Sequence, residues 1–207
     1  LPRSRRLGKL IGFAGCKSTT GECMEQLVAD GYEIAHLITL TPMQAEKYHI
    51  SGYADLRPLA ARCGVNVHHP ATYKLTAKRD RAEIGALGLD ALIVVGWQRL
   101  IPPWLLDSLS VGAFGSHGSA LPLPKGRGRS PINWSILQGE TTFISHLIRY
   151  DEGVDSGAIV GTLEFDISPF DNCETVHFKS RIAMNRLLRD HLQNLLVRDD
   201  IIINTHK

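Results

Sequence analysis

The residues best suited to chemistry in this chain are a histidine and a carboxylate at the two ends of one stretch. His117 stands in GSHGSALPLPKGRGRSPINWSILQG, and Asp155 closes the turn of FISHLIRYDEGVDSG. Histidine changes protonation near neutral pH, and a carboxylate beside it can orient the ring and stabilise its charged form. Such a pair, carried by neighbouring strand ends into a basic loop, is what acyl transfer to an amine requires. Taken singly, each residue has an ordinary alternative. His117 could be a core histidine bonded to backbone, and Asp155 a turn carboxylate among Gly153 and Gly157. Together, with Gly115 and Gly118 giving a ligand room near the backbone, they favour a site.

The loop between them carries Lys125, Arg127 and Arg129, interleaved with Gly126 and Gly128. A solvated loop is the plain reading; recognition of an anionic substrate is the functional one, since guanidinium groups suit phosphate and carboxylate. Trp97 and Trp134 flank the region, where packing competes with stacking on a ligand ring.

Other motifs fail on their spacing. Gly15-Cys16-Lys17-Ser18-Thr19-Thr20-Gly21 tempts a phosphate-loop reading, but Glu22 stands where Lys should follow the second glycine. The helix N-terminus there, at Cys16 and Lys17, could still hold an anion through backbone N–H groups. After Gly126 and Gly128, Pro131 spoils a dinucleotide fingerprint. His68-His69 has no partner at metal-ligand spacing, so no metal is expected. Ser119 lies in GSHGSA, which is not the strained elbow of a serine hydrolase. Cys16, Cys23, Cys63 and Cys173 form no CxxC pair and read as packed thiols.

These residues need a frame. Apolar runs at Lys9–Ala14, Tyr32–Leu40, Val65–His68 and Leu89–Val95 predict strands, the last buried on both faces. Thr19 with Glu22 predicts a capped first helix, and helices are expected over Asp55–Cys63 and Ala77–Leu87. Pro102 and Pro103 open another helix carrying Trp104, Leu105 and Leu106. Gly112–His117 predicts a strand ending on the histidine, and Ser130 with Pro131 caps a helix over Ile132–Gln138. Phe143–Tyr150 and Ala158–Ile167 predict antiparallel strands on either side of the acidic turn. Asp171 with Glu174 caps a long helix whose stripe is Val176, Ile182, Ala183, Leu187, Leu188, Leu192 and Leu195. Ile201–Ile203 suggests a terminal strand. The alternation predicts an α/β fold, a doubly wound and mostly parallel sheet with an antiparallel late edge. Ligands bind such sheets beyond the carboxyl ends of the strands.

The 207 residues, 43% hydrophobic and 21% charged, suit one globular domain over residues 9–207 behind a basic tail at 1–8. A net charge of +2 is too balanced to argue for nucleic acid. No apolar run is long enough to span a bilayer, so no membrane partner and a cytoplasmic location are expected.

HGSALPLPKGRGRSPINWSILQGE, with VDSGAIV downstream, resembles the formyltransferases that use 10-formyltetrahydrofolate. That family includes enzymes acting on methionyl-tRNA, glycinamide ribonucleotide and nucleotide-linked amino sugars, together with formyltetrahydrofolate deformylases. The resemblance implies a Rossmann-like formyltransferase domain and matches His117 and Asp155 to the catalytic histidine and aspartate. The family's catalytic asparagine falls on Gly115, for which Asn133 or a water could substitute as donor. It further implies that folate lies between Gly96-Trp97-Gln98-Arg99-Leu100-Ile101 and the turn Asp151-Glu152-Gly153-Val154-Asp155. Lys125, Arg127, Arg129, Cys16 and Lys17 would then meet a phosphate-bearing acceptor. With the chain stopping shortly after the long helix, a small amine is expected as acceptor and tRNA is not. The exposed side of that helix could serve a homodimer. The leading expectation is N-formyl transfer to a nucleotide-linked amino sugar. The alternatives are hydrolysis of the same folate, or a non-catalytic binding protein in which Gly115 marks lost chemistry.

Overall fold

The computed structural model describes residues 8–197. They form two compact units, one ending at Ala113 and the other beginning at Phe114. The first contains β1 (Ile11–Ala14), α1 (Ser18–Ala29), β2 (Ile34–Ile38), α2 (Pro42–Lys47), α3 (Arg57–Arg62), β3 (Asn66–His68), α4 (Lys78–Gly85), β4 (Ala91–Val94) and α5 (Pro103–Leu106). Its strands run parallel in the order β3-β2-β1-β4. Every residue of β1 and β4 is buried, as expected of parallel strands covered on both faces. Phe13, Leu37, Ile38, Leu92 and Ile93 are the centre of this core.

The second unit holds most of β5 (Gly112–Ser119), then α6 (Pro131–Leu137), β6 (Thr142–Arg149), β7 (Ala158–Asp166) and α7 (Cys173–Val197). β5 pairs antiparallel with β6, and β6 with β7; the sequence predicts the second of these pairings but not the first. Ile132, Phe143, Ile167 and Val176 bring α6, β6 and α7 into one cluster. The α/β class, parallel strands first and antiparallel strands late, agrees with expectation.

Several local expectations need correction. α1 begins one residue before Thr19, and its first turn is fastened by Thr20 instead of a Thr19–Glu22 box: Lys17 N–H donates to Thr20 Oγ1 at 3.2 Å. α2 was not anticipated, although Thr41-Pro42-Met43-Gln44 carries its signal. Thr41 Oγ1 accepts from Gln44 N–H, and Gln44 Oε1 accepts from Thr41 N–H. Ser130 precedes α6 in a left-handed conformation (φ 56°) and makes no side-chain cap. Asn172, not Asp171, caps α7 by accepting from the N–H groups of Glu174 and Thr175. Asp171 is taken by Lys179, 2.6 Å away, and by Ser168. Along α7 Ile182 is exposed and Met184 is buried in its place, because the buried face turns slightly from the expected stripe. The expected strand at Ile201–Ile203 lies outside the described residues.

Candidate active site

β5 continues two residues beyond His117, so the histidine sits inside the strand and not at its end. Opposite it on β6 is His146. The His117 ring is buried, 8% exposed. Its Nδ1 lies 3.3 Å from Asp155 Oδ1, and its Nε2 lies 2.7 Å from the carbonyl oxygen of Gly126. Both ring nitrogens therefore face oxygen acceptors. A neutral imidazole can donate to one of them at a time and an imidazolium to both.

Asp155 reaches this position from the turn after β6, in a left-handed conformation (φ 48°) that is uncommon for a residue other than glycine. Aspartate is among the side chains that tolerate it. Contacts from the basic loop hold it: Gly128 N–H donates to Asp155 Oδ2 at 3.3 Å, and Arg127 Nε–H donates to the Asp155 carbonyl at 3.0 Å. Next to the turn, burial and then the Asp155 carboxylate push the Tyr150 phenol up. Asp151 Oδ1 accepts from Gly153 N–H and Ser156 Oγ–H, so this carboxylate shapes the turn.

The flanking glycines serve packing. A Cβ on Gly118 would strike the ring of Phe143, a core residue of β6. One on Gly126 would strike Leu121 O and Ser119, so only a glycine there lets the loop fold back onto β5 and bring its carbonyl to His117. Gly115, buried in β5 opposite Ile148, supplies no side-chain donor.

The loop that contacts this pair also borders a cavity of about 180 Å³, whose lining includes Ser119, Leu121, Lys125, Arg127, Arg129 and Trp134 but neither His117 nor Asp155. The three cations are exposed, as is Trp134 at 58%, so the tryptophan is not a core residue. Among the described residues, Glu140 is the one carboxylate that lines it. Asn133 is exposed on α6, and among the described residues no hydrogen bond joins it to His117 or Asp155. The structure thus joins His117, Asp155 and Arg127, gathers Lys125 and Arg129 on the cavity, and leaves Asn133 outside the pair.

In the first unit, the segments after β1 and β4 meet side by side. Thr20 Oγ1–H donates to Val95 O at 2.6 Å, and Cys16 Sγ–H donates to Gly96 O at 3.6 Å. Cys16 is fully buried, main chain included, and burial pushes its thiol up despite the neighbouring Tyr73 and Lys17. Lys17 is half-buried. Tyr73, which sequence reading passed over, organises the 96–101 segment. Its hydroxyl accepts from Gln98 N–H at 2.8 Å, its ring meets Trp97 edge-on at 4.7 Å, and Arg99 stacks over it at 4.7 Å. Burial pushes the Tyr73 phenol up to about 12. Trp97 and Ile101 are buried, whereas Leu100 is 54% exposed. In the other unit Val154 is 57% exposed. Among the described residues no cluster could hold a metal ion, and no helix is long and apolar enough to cross a membrane.

The chain is similar to known formyltransferases. Methionyl-tRNA formyltransferase of Bacillus subtilis (strain 168) is 28% identical over 186 residues; these are 90% of this chain but 57% of that protein. The crystal structure of phosphoribosylglycinamide formyltransferase from Bacillus halodurans matches with a TM-score of 0.75 at 22% identity, over 94% of this chain and 99% of that one. An N-formyltransferase from Helicobacter canadensis, solved with folinic acid and dTDP-3-aminofucose, matches with a TM-score of 0.63 at 16% identity, covering 89% of this chain and 63% of that one. The family model described as formyl transferase matches residues 22–191, most of the sequence. The chain belongs to the formyl transferase family of enzymes.

Proposed function

We propose that this chain moves a formyl group from 10-formyltetrahydrofolate to the amine of a small anionic acceptor, a nucleotide-linked amino sugar being the class that fits best. The observation that carries this reading is the buried His117 ring, its Nδ1 3.3 Å from the Asp155 carboxylate, contacted by a loop that borders a cavity lined with cations. The folate supplies an activated formyl carbon. Asp155 orients the His117 ring and offsets its charge, which leaves Nε2 as the nitrogen that exchanges a proton with the reacting groups. The Gly126 carbonyl must then yield Nε2 as substrate enters. With Gly115 lacking a side chain, His117 also becomes the principal side-chain donor to the oxygen on which charge grows, and Asn133 or water is the remaining candidate.

Gly96–Ile101 and Asp151–Val154 are assigned to the folate, with Leu100 and Val154 as its apolar contacts. The acceptor is assigned to Lys125, Arg127 and Arg129, with Trp134 for a base or sugar ring. The amino-sugar nucleotide in the Helicobacter canadensis structure supports this class, being anionic, ring-bearing and an amine. Incubation with 10-formyltetrahydrofolate, with and without amino-sugar nucleotides, tests the proposal through tetrahydrofolate release. Release that depends on the amine supports transfer. Release without it supports hydrolysis, and folate binding with no release supports a non-catalytic role, the reading that Gly115 favours.

A further inference from the structure

The sequence presents Arg127 as one of three loop cations, equivalent to Lys125 and Arg129. The structure separates it from them. Its Nε–H donates to the backbone carbonyl of Asp155, while the same side chain lines the cavity. Its terminal nitrogens have no partner among the described residues. On either side of it in the chain, the Gly126 carbonyl meets His117 Nε2 and Gly128 N–H meets Asp155 Oδ2. Three consecutive residues thus touch both members of the His–Asp pair.

We propose that Arg127 is a positioning residue that ties occupancy of the acceptor cavity to the placement of the Asp155 carboxylate. Asp155 is in a left-handed conformation, and such a residue keeps its geometry only where its surroundings over-determine it. The charge-assisted bond from Arg127 fixes the peptide carbonyl and so sets the direction in which the carboxylate leaves the backbone. The guanidinium is a rigid plane, so a phosphate or carboxylate held at its free nitrogens also fixes the orientation of Nε. An anionic acceptor therefore firms the bond to Asp155, and through it the alignment of His117. Lysine would keep the charge but lacks this planar inner donor.

The inference rests on the formyl-transfer reading for its substrate class, but its test does not depend on turnover. In the full chain labelled with nitrogen-15, the Nδ1–H of His117 should give a protected, downfield proton signal. That signal should vanish in Arg127→Lys and in Asp155→Gly, which keeps both the backbone carbonyl and the left-handed conformation, and should persist in Arg129→Ala. In kinetics, Arg127→Lys should lower kcat about tenfold while changing the acceptor KM less than about threefold. In the Asp155→Gly background the same change should have no further effect on kcat. A wild-type ring without the signal, a signal that survives Arg127→Lys, or losses that simply add in the double variant would overturn the proposal. If wild-type protein formylates no amine, the formyl-transfer reading falls, while the ring signal still decides the role of Arg127.

Discussion

Replacing Asp155 by asparagine removes one charge and little else. Asparagine tolerates the left-handed conformation at this position, and its side-chain oxygen can still accept from Gly128 N–H. What is lost is the attraction between the carboxylate and the His117 ring when the ring carries a proton. At the observed 3.3 Å, a full charge pair in an effective dielectric of about 20 is worth about 5 kcal/mol. The Asp155 side chain is 23% exposed, so water screens part of that, leaving about 2–4 kcal/mol. If this stabilisation is used while the proton moves, kcat should fall about 30- to 1,000-fold with little change in the KM of either substrate. Steady-state tetrahydrofolate release measures it, with thermal denaturation as the control for folding. A folded Asp155→Asn variant that keeps kcat within threefold of wild type would refute the assignment of Asp155 as the partner that orients His117.

Three further perturbations follow from the same geometry. Gly115 lies in strand β5 without a left-handed backbone, so Gly115→Asn is compatible with the chain path; it should raise kcat about tenfold or more by restoring a donor, and an unchanged rate in a folded variant would count against that geometry. In Gly157→Ala the new Cβ would press on the backbone of Arg149 and Tyr150, 2.9 Å from Arg149 C, and backbone cannot move aside cheaply; chemical denaturation should show a loss of about 2–4 kcal/mol. Lys179 is the largest cause of the depressed Asp171 carboxyl, ahead of the bonds from Ser168 and Thr175, so the stability this pair contributes is present above about pH 4 and fades as pH falls through the lowered value. Lys179→Ala should therefore melt below wild type at pH 7, and the two curves should converge in acid.

Much of this arrangement was legible in the sequence because it is written locally. The continuous apolar runs around Phe13 and Ile93 announce parallel strands, and Asp155 is marked by the turn chemistry around it. Where caps are concerned, Thr19 and Asp171 are expected from their spacing to Glu22 and Glu174, but tertiary partners give the roles to their neighbours Thr20 and Asn172. Thr20 is held by Val95 O and Asp171 by Lys179, residues 75 and 8 positions away. The roles of Gly118 and Gly126 were hidden for the same reason: each is set by what presses on it, Phe143 in one case and Ser119 with Leu121 in the other. Tyr73 gave no signal, since a tyrosine beside a lysine in a loop resembles any surface residue until Gln98 N–H and Trp97 are found against it. Arg127 was visible as a charge but not as a donor to Asp155, because spacing along a flexible loop does not say which cation turns inward.

Whether His117, oriented by Asp155, serves transfer of a formyl group to an amine is decided by following an isotopically labelled formyl group from 10-formyltetrahydrofolate in the presence of an amino-sugar nucleotide. Wild-type protein should leave the label as an amide on the sugar amine, and His117→Ala should leave none there, although that variant still binds folate. Label recovered as formate, or an amide formed equally well by His117→Ala, would contradict it.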